Sequence, residues 1–169
     1  KLDGAGYTIK GLYINRPSED YVGLFSESDR SYIHNLYIDS FDITGNNYVG
    51  TLYGYLGYKY NDSYPISDIT ITGSILNGNN YVGGLIGDNN YSTVKNITIT
   101  NSSIHSNGTL GGIIADNAST TLSNLKAENI NYSSNSGLAG GIVGLTLGDI
   151  NNCYTKDSSF ENTGITGGI

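Results

Sequence analysis

Residues 79–91 read NNYVGGLIGDNNY, and the reading of Gly83, Gly84 and Gly87 within that stretch decides the fold. Met once, a glycine-rich run of this kind has the composition of a phosphate-cradling loop. It is not met once. Gly-Gly pairs stand at 83/84, 111/112, 140/141 and 167/168, followed by Leu85, Ile113, Ile142 and Ile169, at steps of 28, 29 and 27. A cofactor loop serves one ligand, whereas a motif that returns at a fixed interval belongs to the architecture.

Other positions keep the same phase. Ile33, Ile66, Val94, Leu122 and Ile150 are spaced 33, 28, 28 and 28, and Leu36, Ile69, Ile97, Leu125 and Cys153 follow them. Two more columns run Ile38, Ile71, Ile99, Ala127, Thr155 and Ile43, Leu76, Ile104, Tyr132, Phe160. A fifth is expected along Val49, Val82, Leu110, Leu138 and Ile165. The one long step, of 33, predicts an insertion of about five residues between Leu52 and Ile66.

Within one repeat the local period is two. In SDITIT (67–72) Ile69 and Ile71 share one face while Asp68, Thr70 and Thr72 share the other, and KNITIT (95–100) does the same. These segments are too short and too punctuated by Gly, Asn and Ser for helices, so each repeat is a set of short strands joined by turns. Such a unit cannot bury its own apolar face, but stacked copies can, each inward Ile or Leu contributing about 1.5–3 kcal/mol. The expected fold is all-β: a single-stranded parallel β-helix, a right-handed β-solenoid of about six rungs of ~28 residues. A two-layer sandwich has no reason to hold its columns in one constant phase. Residues 1–169 then form one repeat domain with an irregular first rung over 1–30 and an insertion near 53–65. The absence of polar or helical caps predicts a piece of a longer chain, with neighbouring repeats of that chain as its first partners.

Composition narrows the function. With 8 Lys plus Arg against 15 Asp plus Glu, a net charge of −7, no basic patch can follow a nucleic-acid backbone. The single Cys rules out a disulfide framework and a cysteine-based metal site, and no apolar run is long enough to span a membrane. Cys153 falls in the slot of Ile97 and Leu125 and is expected to act as a small core hydrophobe. His34 and His105 have no ligand-like spacing around them.

YVGGLIG (81–87), TLGGIIA (109–115), LAGGIVG (138–144) and the degenerate YVGTLYG (48–54) resemble the GLUG-motif repeat, named for Gly-Leu-any-Gly. The likeness runs from about Tyr21 to Ile169 and departs from the motif at Gly23-Leu24, Thr51 and Ala115. That repeat occurs in large bacterial surface proteins, including extracellular regions of immunoglobulin-A-cleaving metallopeptidases. The resemblance implies an extracellular, bacterial cell-surface, non-catalytic repeat region.

Ligand binding is expected at the insertion, LYGYLGYKYNDSYPI (52–66), through Tyr53, Tyr55, Tyr58, Tyr60 and Tyr64. Surface tyrosines give stiff contact area that suits sugars and peptides, so the partner would be a glycan or a host-surface protein; the plain alternative is that they cover the solenoid's flank. Asp88 and Asp116, one repeat apart, should sit on adjacent coils with Asn89 and Asn117 beside them, where they could attract calcium or simply face water. Thr70/Thr72 and Thr98/Thr100 form a short Thr-x-Thr rank like that of ice-binding solenoids, but Tyr37/Asp39 and Lys126/Glu128 break it on either side. No catalytic residue, metal site or cofactor is expected. The leading reading is a non-catalytic, adhesive stalk segment; the alternatives are a β-helical polysaccharide lyase or hydrolase, or the accessory region of a secreted peptidase.

Overall fold

The computed structural model describes residues 1–29, 31–57, 65–162 and 164–169. Its regular structure is all strand, and the strands pair in parallel from coil to coil in one 12-stranded and two 5-stranded sheets. The chain is a β-solenoid wound about six times, and in its regular part each residue meets its counterpart one repeat on, Ile69 beside Ile97 and Ile97 beside Leu125.

One coil shows how the winding arises. The strand Val94–Ser106 directs Val94, Ile97, Ile99, Ser102, Ile104 and Ser106 inward. The inward spacing is two along the straight runs but three from Val94 to Ile97 and from Ile99 to Ser102. Each of these longer steps holds an asparagine with left-handed backbone, Asn96 at φ 56° and Asn101 at φ 52°. Asparagine enters that region more readily than other residues with a Cβ, so it bends the strand without breaking the pairing. The same corners recur at Asn35, Asp68, Asn124 and Asn152, and at Ser40, Gly73, Asn129 and Asp157.

Four of the expected columns stack as read. Ile33–Ile66–Val94–Leu122–Ile150, Ile38–Ile71–Ile99–Ala127–Thr155 and Ile43–Leu76–Ile104–Tyr132–Phe160 are strand partners throughout. Leu36, Ile69, Ile97 and Leu125 are all at most 2% exposed, with Cys153 half-buried against the same core.

The fifth column needs a correction. Leu110 faces Ala139, not Leu138, so the buried column runs Val22, Val49, Val82, Leu110, Ala139. Leu138 pairs with Ile165, which is 73% exposed, and these two face outward. The cause is one extra residue in the turn at 135–137, absorbed at Gly137 with φ 89°. The long step is placed more closely as well: Leu56 pairs with Asn89, so the added length falls between Leu56 and Ile66. The first coil pairs along its length at shifting offsets. Leu2 meets Ile33, Ile9 meets Ile38, Val22 meets Val49 and Phe25 meets Tyr53, so the step shrinks from 31 to 29 and 27 before settling at 28.

The glycine pairs have two separate jobs, and neither uses a positive φ. A Cβ on the first glycine, at 50, 83, 111 or 140, would run into the carbonyl oxygen three positions on, where the corner closes upon itself. A Cβ on the second, at 84, 112 or 141, would strike the carbonyl of the equivalent glycine on the next coil. The first position is glycine in every coil, including Gly23. The second varies: Thr51 occupies it, fully buried, and donates its hydroxyl to the Gly84 carbonyl at 2.6 Å.

Candidate functional site

The five tyrosines of the expected ligand site do not share one environment. Tyr53 belongs to the strand Tyr53–Leu56, pairs with Ile86 and is 3% exposed. Its ring stacks on Phe25 and its hydroxyl shares a hydrogen bond with Ser31, so it is core and not part of a looped-out segment. Tyr55, on the same strand, is half-buried, meets Tyr21 edge-on at 5.9 Å and bonds to Asn90; burial, together with the Asp88 charge, pushes its hydroxyl pKa up. Tyr58, Tyr60 and Tyr64 lie outside the described residues.

Beside Tyr55 stands an aromatic ladder that sequence reading did not pick out. Tyr21, Tyr48 and Tyr81 occupy equivalent left-handed positions, φ 59°, 59° and 52°. Their rings stack at 5.1 and 5.0 Å with interplanar angles of 9° and 2°. Parallel stacking uses both faces of Tyr48, so the ladder holds coils together and offers solvent mainly ring edges. Gly87 makes room for it, since a Cβ there would lie 2.7 Å from the Tyr48 carbonyl carbon.

Asp88 and Asp116 are strand partners, as their place in the repeat predicts. Burial raises the pKa of both; at Asp88 the Asp116 charge adds to it, the Asn90 amide opposes it, and the result is about 6. Asn89 and Asn117 do not join the carboxylates. Both amides are fully buried: Asn89 donates to the Ser92 carbonyl and to Asn117 Oδ1, each at 2.8 Å, and Asn117 donates to the Thr120 carbonyl. Their work is to close the turns at 89–92 and 117–120. Among the described residues no group of three His, Cys, Asp or Glu is placed to hold a metal.

Among the described residues a concave surface lies elsewhere, on the outer face of the long strands. Two cavities of about 360 and 320 Å³ adjoin at Asn96. The first is lined by Asn35, Tyr37, Asp68 and Thr70, the second by Thr98, Asn124, Lys126 and Asn152. One wall is an amide ladder: Asn96 donates to Asp68 at 2.9 Å, Asn124 to Asn96 at 2.9 Å and Asn152 to Asn124 at 2.7 Å. The other is a column in unbroken strand register, Tyr37, Thr70, Thr98, Lys126 and Tyr154. Hydrogen bonds from Ser67 and Asn96 hold the Asp68 carboxyl below its usual range.

The Thr-x-Thr rank is part of this face. Thr70 pairs with Thr98, and the Thr100 hydroxyl lies 3.1 Å from that of Thr72. The groove had a signal in the sequence: Asn35, Asp68, Asn96, Asn124 and Asn152 keep the steps of 33, 28, 28 and 28 found for the apolar columns. Columns traced only through Ile, Leu and Val pass it by.

No family model and no solved structure matches this chain. A stretch of 75 residues, 44% of the chain, is 35% identical to Halomucin of Haloquadratum walsbyi. The chain spans about 1% of that protein's length. Among the described residues no helix is long and apolar enough to cross a membrane.

Proposed function

We propose that this chain is a non-catalytic repeat segment of an extracellular, cell-surface protein, of the GLUG-motif kind, working as a stiff spacer that also carries an adhesive face. The parallel coil-to-coil pairing of like residues carries this reading. Interiors filled by Ile, Leu and Val, locked by amide ladders outside, make a rod whose length grows by one strand spacing, ~4.8 Å, per coil. Likeness to a protein named as a mucin supports an outside location.

Brief protease treatment of intact cells of the producing organism tests the location: peptides of this chain should be released before lysis. Recovery only after lysis would overturn it. Incubation with pectin, alginate and neutral glucans tests the second half, and should release no reducing or unsaturated ends.

A further inference from the structure

We propose that the groove along the amide ladder binds a neutral, extended, linear polysaccharide, laid parallel to the solenoid axis from Tyr37 to Tyr154. This deepens the adhesive reading above, on which it rests, by naming a site and a ligand class.

Four observations carry it. First, the wall is periodic in hydrogen-bonding capacity. An asparagine amide has two N–H donors and two acceptor lone pairs, and the ladder uses one N–H of Asn96 and Asn124 and one lone pair of each. One donor and one acceptor remain on each of these two exposed side chains, on adjacent coils ~4.8 Å apart. A sugar hydroxyl both donates and accepts, and an extended glycan chain advances by close to that spacing per sugar.

Second, the column carries aromatic surface at both of its ends. Tyr37 lines the first cavity at 48% exposure; Tyr154, next to Lys126 in strand register and just outside the second cavity, is 38% exposed, donates its hydroxyl to Glu128 at 2.6 Å and has Lys126 Nζ 6.0 Å from its ring centre. Unlike the stacked Tyr21–Tyr48–Tyr81 ladder, these rings leave area for the apolar face of a sugar.

Third, charge disfavours a polyanion. Among the described residues of the two linings Asp68 is the one anion and Lys126 the one cation, and the Glu128 carboxylate stands beside Tyr154 at the far end, which favours a neutral polymer.

Fourth, this is a sheet face. The backbone groups beneath it are consumed in pairing between coils, so an extended peptide would find no strand edge to extend.

The test is calorimetric titration of the whole chain with cello-, manno- and xylo-oligosaccharides of increasing length. Affinity should climb with each added sugar until the ligand reaches from Tyr37 to Tyr154, about four coil spacings or ~19 Å, and then level off. Tyr37→Ala and Thr98→Arg, both at outward positions, should each weaken binding about tenfold or more while leaving the circular dichroism spectrum unchanged. Tyr13→Ala, an exposed tyrosine outside the groove, should bind as the parent does. Absence of binding to every oligosaccharide in the panel at millimolar concentration would overturn the proposal. So would binding that ignores both groove substitutions, or a preference for polygalacturonate over the neutral chains. None of these results bears on where the protein resides, which protease treatment of cells reports separately.

Discussion

At the scale of single residues, each coil is decided by a few positions where one atom more or less matters. The first glycine of each pair was legible as a repeat, but its reason was not. Nothing in the letters separates a glycine needed for a left-handed turn from one needed because a carbonyl three positions on occupies the space of a Cβ. Tyr53 and Tyr55 show the same limit: they share a strand, yet one is core and the other flanks a carboxylate. That carboxylate makes a prediction. Asp88 titrates near 6 in the folded chain against about 3.8 unfolded, because it is buried and faces Asp116. Between those values the folded state keeps a proton that the unfolded state has lost, so stability falls as pH rises through the window and is level above it. Asp88→Asn should therefore stabilise the protein at pH 7.5 by on the order of 1–2 kcal/mol, once screening by solvent at this half-buried site is allowed for, and by nearly nothing at pH 4. Urea unfolding at the two pH values reads this directly; an equal gain at both would show that charge is not the cause.

At the scale of the element, the long strands are defined by their corners. Alternation in SDITIT and KNITIT was enough to predict strands and their buried faces. It could not show that Val94–Ser106 runs on through two bends, because alternation simply lapses for a step at Asn96 and Asn101. Those lapses are informative once left-handed asparagine is recognised as their cause. Asn124, at φ 55°, both accepts from Asn152 and donates to Asn96. Asn124→Val forces a branched side chain into that conformation and removes both bonds, and should cost about 2–3 kcal/mol. Asn124→Gly keeps the backbone and should cost about 1 kcal/mol or less. Equal losses for the two in denaturant midpoint would mean that the ladder bonds, not the corner, are what asparagine supplies. The slip at Leu138 belongs to this scale as well. A period of 28 placed Leu138 inside, whereas the local step of 29 between glycine pairs 111/112 and 140/141 already recorded the added residue.

At the scale of the whole molecule, each coil touches only the coils above and below it, so stability should be graded along the axis rather than shared evenly. The segments Ile66–Thr72, Val94–Ser106 and Leu122–Ser134 are paired on both sides, while the strands within 2–15 and those from Ile150 on are paired on one side only among the described residues. Hydrogen exchange on residues 1–169 by themselves, followed by mass spectrometry, should find the slowest amides in the first group and the fastest in the second. Uniform protection from end to end would mean that the solenoid opens as a single unit. What the sequence determined by itself was the winding: the period, the parallel stacking and the identity of the inward residues in four of the five columns. Those follow from burial, and burial depends on the kind of side chain and its spacing, both of which are written in the chain. What only the tertiary structure decided was the outer surface, where the amide ladder, the stacked tyrosines and the groove between Tyr37 and Tyr154 emerge. A surface is made by residues a whole repeat or more apart in sequence meeting across coils, and which way each one faces depends on where the corners fall.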